Sequence, residues 1–168
     1  EFMASVLTND RDTADKVTKG IRNTRMKMGI EVLPPDVNRS GVHFDAADGR
    51  ILFGMGGIKG VGDYAVEAIV EARAEKHFTS LMDFCKRCDL RRVNKKTVEA
   101  LIQAGAFDFC ETPRAALTAA LDFCVERAQQ DQRDRESGQA SFFAVLAPAD
   151  GDDDLPSDID GVQEWPER

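Results

Sequence analysis

Residues 53–73 read FGMGGIKGVGDYAVEAIVEAR, and five of the first ten residues of this stretch are glycine. Behind the glycines, apolar residues recur at helical spacing, so a glycine-rich turn leads into a helix. A phosphate-binding P-loop would require Gly-Lys-Ser/Thr, but Lys59 is followed by Gly60. A dinucleotide fingerprint would require a third glycine and a returning parallel strand, and both are missing. These two nucleotide-binding interpretations are therefore excluded.

The pattern that fits is a short helix, a glycine turn and a second helix. Met55 and Ile58 lie three residues apart, GVG (60–62) forms the turn, and paired apolar residues follow on the next helix. This is the helix-hairpin-helix pattern. Glycine permits positive φ and leaves no side chain between the backbone and a partner. Free N–H groups at the positive end of the following helix suit a phosphate. The predicted contacts are Lys59, Gly60, Val61 and Gly62.

The motif has a second, weaker copy further along the chain. A shift of 32 residues places AVEAIVEA (65–72) over TVEALIQA (97–104), with four identities. Arg92 and Asn94 replace the two glycines, and asparagine tolerates positive φ better than most residues. Two tandem copies are expected to grip both phosphate backbones of a duplex without reading bases. The predicted contacts in the second copy are Arg91, Arg92, Asn94, Lys95 and Lys96.

Two structural alternatives stay open beside the phosphate interpretation. The hairpins can serve packing alone. The basic run, residues 85–97, can be a solvated face. In either case the apolar positions of the repeat are expected in the core. These positions are Val66, Ile69, Val70, Val98, Leu101 and Ile102.

Charge is distributed unevenly along the chain. The formal net charge is −8, of which residues 1–110 contribute +1 and residues 111–168 contribute −9. Binding of nucleic acid depends on where positive charge is placed rather than on the total.

No apolar run approaches the roughly 20 residues of a membrane helix, and the start lacks the features of a signal peptide. We therefore expect a cytoplasmic chain without a membrane partner. Because it begins at Glu1-Phe2, we also expect it to be processed or cut from a longer chain.

The cysteines favour packing over metal binding. Cys85 and Cys88 form a C-x-x-C pair, but with Leu81 and Phe84 they lie at the i, i+3, i+4, i+7 spacing of an apolar helix face. Zinc would need two further ligands, and neither the other cysteines nor the two histidines have ligand spacing. No metal site is expected.

The expected fold class is mostly α with a small antiparallel β-hairpin, built around a tandem helix-hairpin-helix bundle with internal pseudo-two-fold symmetry. Asp48-Gly49 is a favourable hairpin dipeptide, and Pro34 and Pro35 predict an extended segment. The acidic end is expected to be disordered. The first predicted helix, residues 13–29, is expected to be the ordered element least protected from hydrogen exchange, because its apolar face has lost its neighbours. Helices are predicted over 13–29, 63–75, 80–88, 94–104 and 113–135. The predicted regions are 1–35, 36–53, 54–136 and 137–168.

The order of these segments carries a resemblance. GIEVLPPDVN (29–38), the hairpin, ILFGMGGIKGVGDYAVEAIVEAR (51–73) and FTSLMDFCKRCDLRRVNKKTVEALIQAGAFD (78–108) resemble the alpha-subunit family of bacterial DNA polymerase III, the replicative polymerases. The resemblance extends to about residue 143. It implies that residues 1–35 end the fingers region of a nucleotidyltransferase. It also implies that the catalytic aspartates and their magnesium precede this stretch, so no catalytic residue and no cofactor is expected here.

The same family implies a clamp-binding motif, in which a glutamine is followed three and four positions later by hydrophobic or aromatic residues. QASFF (139–143) matches it, although Phe142 lies where Leu or Met is common. The alternative is that the two phenylalanines fold back onto the last helix. The implied clamp contacts are Gln139, Ser141, Phe142 and Phe143. The implied partners are duplex or primed DNA, the sliding clamp and other replicase subunits.

Three functions from different classes remain. The first is a DNA-gripping and clamp-tethering part of a replicative polymerase. The second is a duplex-binding module of a repair nuclease or ligase, and the third is a helical scaffold without a nucleic-acid role. The LPPDVN segment, the hairpin and the pentapeptide, in this order, favour the first, because a repair module would need none of them.

Overall fold

The computed structural model describes residues 2–11 and 13–136. Two helices come first, then three short strands, then a helical region. The elements are α1 (Phe2–Asn9), α2 (Ala14–Met28), β1 (Val32–Leu33), β2 (Asp45–Ala47), β3 (Arg50–Leu52), a 3-10 turn (Met55–Gly57), α3 (Asp63–Ala72), α4 (Leu81–Arg87), α5 (Lys95–Gln103), a second 3-10 turn (Asp108–Cys110) and α6 (Arg114–Glu136). The predicted mostly α class is confirmed. In this part of the chain, no helix is both long enough and apolar enough to span a bilayer.

Local signals set the helix ends. Gly29 ends α2 in the left-handed conformation with φ 64°, and its N–H donates to the Thr24 carbonyl. The Ser80 hydroxyl accepts a 3.0 Å hydrogen bond from the Asp83 N–H at the start of α4. The five predicted helices therefore all form, although α3 ends three residues before the predicted residue 75.

The predicted hairpin is present within a larger sheet. β2 and β3 pair antiparallel, and the turn between them holds Asp48 at φ 53° and Gly49 at φ 76°, as expected for this dipeptide. β1 adds parallel to the other side of β3, with Val32 opposite Ile51. The sequence predicts the extended backbone of β1 but not this pairing, because a two-residue strand carries no periodic signal.

The N-terminal helices pack onto the sheet. Leu7 of α1 and Val17 of α2 are buried with Phe44 and Ile51 in a separate small core. Val17 of α2 thus has neighbours, and the expectation that this helix is the least protected stays a prediction. Only part of the apolar pattern of α2 is used, since Met26 is 79% exposed.

The main core lies among α3 to α6. Phe84 is fully buried and packs edge-on against both Phe78 and Phe107, with ring centroids 4.9 and 5.0 Å apart. Five of the six apolar repeat positions are buried, as predicted. The prediction is wrong for Val70, which is 37% exposed because it faces away from the bundle. The buried repeat residues are Val66, Ile69, Val98, Leu101 and Ile102.

Candidate functional site

The first hairpin is a tight turn between a single 3-10 turn and α3. The Ile58 N–H donates to the Met55 carbonyl at 3.1 Å, and the Val61 N–H donates to the Ile58 carbonyl at 3.0 Å. Gly60 has φ +90°, which a residue with a side chain adopts only with strain. The side chain of Val61 is buried, whereas Lys59 and Gly60 are exposed. Val61 therefore anchors the turn from inside, and its neighbours face solvent.

The N-terminus of α3 is open. Gly62 occupies the N-cap position with φ −86°, so the positive φ that glycine permits is not adopted. A glycine there instead leaves the helix end without a capping side chain, and a Cβ would meet nothing within 4 Å. Within the described part of the chain, the N–H groups of Gly62, Asp63 and Tyr64 donate to no acceptor. Three backbone donors therefore point outward at the positive end of a helix.

Other glycines of the run serve close packing. A Cβ on Gly54 would lie 2.3 Å from the His43 carbonyl carbon, and one on Gly56 would lie 2.7 Å from the Val42 oxygen. The backbone there is held by a 3.1 Å bond from the Gly56 N–H to the Val42 carbonyl. Some glycines of this stretch therefore allow close packing, and Gly62 leaves the helix end accessible.

The second hairpin has a different helix start. Asn94 has φ −71°, so the predicted positive φ is wrong here as well. Its side-chain oxygen instead accepts a 3.0 Å hydrogen bond from the Thr97 N–H and caps α5. The exposed Asn94 therefore fills with its own side chain the place that Gly62 leaves open in the first hairpin.

Arg92 joins the two hairpins. One terminal nitrogen donates to Glu71 at 2.6 Å, the other donates to the Tyr64 carbonyl at 3.2 Å, and Cζ lies 4.1 Å from the centroid of the Tyr64 ring. The hydrogen bond to Glu71 raises the pKa of Arg92. Its guanidinium is therefore held against Tyr64 and Glu71, with the side chain 17% exposed, and the phosphate contact of Arg92 stays a prediction.

A matching contact runs the other way between the hairpins. The Thr97 hydroxyl of α5 lies 3.5 Å from the Gly60 carbonyl, and a Cβ on Gly60 would lie 4.0 Å from the Ala100 Cβ. Each hairpin turn therefore rests on the helix of the other copy. This reciprocal packing agrees with the expected pseudo-two-fold relation between the copies.

The remaining basic side chains separate into two groups. Some are engaged by carboxylates: Lys95 forms an exposed ion pair with Asp122, and Lys86 lies 3.8 Å from Asp131. Arg87 lies 2.9 Å from Asp83 and donates 2.7 Å to the Ala72 carbonyl. Among the residues that the structure describes, three exposed basic side chains of the two hairpins form no ion pair within 4.0 Å. They are Lys59, Arg91 and Lys96.

Comparison with known proteins agrees with this geometry. A family profile described as a helix-hairpin-helix motif matches residues 29–117. The chain belongs to the helix-hairpin-helix family.

Relatives match along all or most of the chain. The chain is 44% identical over 170 residues to the DNA polymerase III subunit alpha of Vibrio cholerae, covering 100% of this chain and 14% of that protein. It is 40% identical over 170 residues to the protein of the same name in Escherichia coli, again covering 100% of this chain and 14% of that protein. The Pseudomonas aeruginosa protein is 43% identical over 169 residues, which is 90% of this chain and 14% of the relative. The predicted resemblance is confirmed, and the chain spans about one seventh of the length of these relatives.

The cysteines of this helix-hairpin-helix chain are packing residues, as predicted. Cys85, Cys88 and Cys124 are buried. Burial raises the pKa of Cys88 to about 12 and that of Cys124 to about 11. Thiols with such raised pKa values are protonated near neutral pH and are poor metal ligands. Residues 2–11 and 13–136 contain no group of three or more His, Cys, Asp or Glu residues placed to hold a metal ion.

The predicted clamp contacts Gln139, Ser141, Phe142 and Phe143 lie outside the described residues. The structure therefore leaves that prediction as it was.

One contact at the first hairpin carries no sequence signal. Arg11 donates to Asp63, the first residue of α3, at 2.7 Å. The two residues are separated by 52 positions, and no spacing rule connects them. Only the packing of α1 and α2 onto the sheet brings Arg11 to the mouth of the hairpin.

Proposed function

We propose that this chain is the part of a replicative DNA polymerase alpha subunit that holds duplex DNA through its phosphate backbone. The observation that carries the proposal is the start of α3, where three backbone N–H groups without acceptors in the described chain follow an exposed glycine turn. A phosphate oxygen is the natural acceptor for such donors. The relatives, named for a DNA polymerase and aligned along the whole chain, support the same function.

The two hairpins contribute differently to this grip. The first offers backbone donors at Gly62 and the following residues, with Lys59 beside them. The second offers the side chains of Arg91 and Lys96, because the Asn94 side chain occupies the space in front of α5. Backbone and lysine or arginine contacts to phosphate carry no sequence information, so binding is expected to be independent of base sequence.

In this proposal, the described residues position DNA and take no part in nucleotidyl transfer. The described residues lack a carboxylate cluster that fits a metal ion. We therefore derive no catalytic step from them, and we propose that the nucleotidyl transfer and its magnesium belong to other parts of the polymerase.

A binding titration with the whole chain tests the grip on DNA. Fluorescence anisotropy with duplex, primed and single-stranded DNA at two salt concentrations should show weak duplex binding, near ~10⁻⁴ to 10⁻⁶ M, that falls steeply with salt. Absence of duplex binding at low salt would leave the chain as a helical scaffold.

Two charge variants locate the side-chain contacts. Arg91→Ala with Lys96→Ala should weaken binding and flatten the slope of log affinity against log salt by up to about 1.8, since each phosphate contact contributes about 0.9. Lys19→Ala with Arg22→Ala removes two exposed cations from α2 and serves as the matched control. Equal behaviour of the two double variants would show that the second hairpin is only a solvated face.

We also propose that QASFF tethers the chain to a sliding clamp and so contributes to processive synthesis in the bacterial cytoplasm. Its support is the match of residues 139–143 to the clamp motif of the resembled family. Tethering raises the local concentration of the polymerase at DNA even when the affinity is modest. In calorimetry with the clamp of the same species, Gln139→Ala and Phe143→Ala should each weaken binding, whereas Gly62→Asn should not. Unchanged affinity after removal of both Phe142 and Phe143 would end the clamp proposal.

A further inference from the structure

A carboxylate lies at the mouth of the first hairpin. Asp63 is the first residue of α3, directly after Gly62, and its side chain is 48% exposed. A negative charge at a helix N-terminus stabilises the helix. The same charge repels a phosphate that approaches the neighbouring N–H groups. An unbalanced Asp63 would therefore work against the proposed DNA contact.

Arg11 balances this carboxylate from a distant part of the chain. One terminal nitrogen of Arg11 lies 2.7 Å from Asp63 Oδ2, and the other lies 3.1 Å from His43 Nδ1. A guanidinium only donates hydrogen bonds, so Nδ1 of His43 accepts in this arrangement. With its side chain 20% exposed, Arg11 is held by contacts that include Asp63 and His43 rather than extended into solvent.

The surroundings hold His43 in place. The His43 backbone lies against Gly54 so closely that a Cβ on Gly54 would lie 2.3 Å from the His43 carbonyl carbon. The next residue, Phe44, donates its N–H to the Thr8 hydroxyl of α1 at 3.1 Å. The loop that carries His43 is thus fixed both to the hairpin and to the N-terminal helices.

Stability alone is a weak reason for this arrangement. A partly exposed ion pair contributes little to the free energy of folding, because water screens it and ordering the side chains costs entropy. A charge pair beside a surface that receives an anion has a larger effect on that anion, because removing one partner leaves a net charge at the site.

We propose that Arg11 is a positioning residue of the phosphate-binding hairpin, which neutralises Asp63 so that a DNA phosphate can reach the start of α3. This inference rests on the proposed DNA-binding function. It makes the N-terminal helices part of the DNA-binding unit, although the family profile begins only at residue 29.

A double-mutant cycle on the 168-residue chain tests the proposal, with duplex binding followed by anisotropy at two salt concentrations. Arg11→Ala should weaken duplex binding about threefold to tenfold, the size expected when one unit charge is left near a phosphate. Asp63→Asn should bind as tightly as the unchanged chain or more tightly. Arg11→Ala combined with Asp63→Asn should recover the affinity lost in Arg11→Ala. Lys16→Ala, which removes a cation that pairs with Asp10 in the same region, is the matched control and should change affinity less.

Each outcome of the cycle has a defined meaning. Recovery in the double variant supports neutralisation of Asp63 by Arg11. A loss that Asp63→Asn does not repair, together with a flatter salt slope, would mean that Arg11 contacts phosphate directly and would overturn the proposal. Equal affinity of Arg11→Ala and Lys16→Ala would overturn it as well. If Arg11→Ala fails to fold, Asp63→Asn alone decides, because weaker binding by that variant contradicts the repulsion argument. Absence of duplex binding by the unchanged chain would instead refute the underlying DNA-binding function.

Discussion

The two hairpins of this helix-hairpin-helix chain show how one repeat can be specialised in two ways. In the first, Gly62 leaves the N-terminus of α3 without a cap and open to a partner. In the second, the equivalent Asn94 caps α5 with its own side chain. The same contrast holds two residues earlier, where Gly60 makes a turn with positive φ and Arg92 reaches across to α3. One copy leaves the space in front of its helix open to a ligand, and the other places the Asn94 side chain there and uses Arg92 to hold the copies together.

The sharpest way to break this comparison is to give the first hairpin the cap of the second. Gly62→Asn has room for its side chain and a compatible φ, so the free energy of unfolding should stay equal or rise by a few tenths of a kcal/mol. Duplex affinity should fall about tenfold, because the new side chain occupies the open space in front of the helix that a phosphate would enter. Anisotropy and chemical denaturation measure the two effects separately.

The matched control for Gly62→Asn is Asn94→Gly in the second hairpin. It should lower the free energy of unfolding by a few tenths of a kcal/mol, through loss of the cap, with little effect on DNA binding. If Gly62→Asn binds duplex as the unchanged chain does, the open helix end is not the phosphate site.

The role of Arg92 in joining the hairpins gives a second test. Arg92→Ala should lower the melting temperature by a few degrees, because it removes the contacts to both Glu71 and Tyr64. Arg92→Lys should not restore stability, since lysine lacks the planar fork that serves both contacts. Thermal unfolding followed by circular dichroism makes the measurement. Lys95→Ala, which breaks only an exposed pair with Asp122, is the control and should have a smaller effect. Similar melting temperatures for Arg92→Ala and Lys95→Ala would contradict the structural role of Arg92.

The smallest predicted effect concerns alkaline pH and two buried thiols, Cys88 at the C-cap of α4 and Cys124 in α6. Burial raises the pKa of Cys88 from 9.0 to about 12 and that of Cys124 from 9.0 to about 11. The folded chain therefore binds more protons than the unfolded chain between these values, so their contribution to stability is complete below pH 9 and is lost as pH rises to about 12. Chemical denaturation at pH 8 and pH 10 should show a decrease that is reduced in Cys88→Ala. An identical decrease in Cys88→Ala would exclude Cys88 as a contributor.

Much of the fold follows from signals that are local in the sequence. Asp48-Gly49 predicts the hairpin, Gly29 predicts the end of α2, and the 32-residue repeat predicts the paired hairpins. α1 is missed because its eight residues have no capping pattern and depend on Leu7 packing against α2 and the sheet. A short element that is stabilised by distant contacts leaves little trace in its own residues.

The site is less predictable than the fold, since residue type gives the chemistry but not the partner. Asparagine in place of glycine suggests positive φ, yet Asn94 caps a helix, and these two uses look the same in a sequence. The basic run identifies a charged face, but it cannot show that Arg92 and Lys95 are held by Glu71 and Asp122. Which cations stay available to DNA is decided by the side chains across the interface, and these come from other helices.

The most direct test of the account is an NMR titration of the ¹⁵N-labelled chain with a short duplex at low salt. The largest amide shift changes are expected at Gly62, Asp63 and Tyr64, whose N–H groups would exchange water for a phosphate oxygen as acceptor. The amides of Lys95 to Thr97, at the capped start of α5, should change less. Changes that are largest at the second hairpin, or absent from residues 62–64, would contradict the claim that the first hairpin binds DNA through its open helix end.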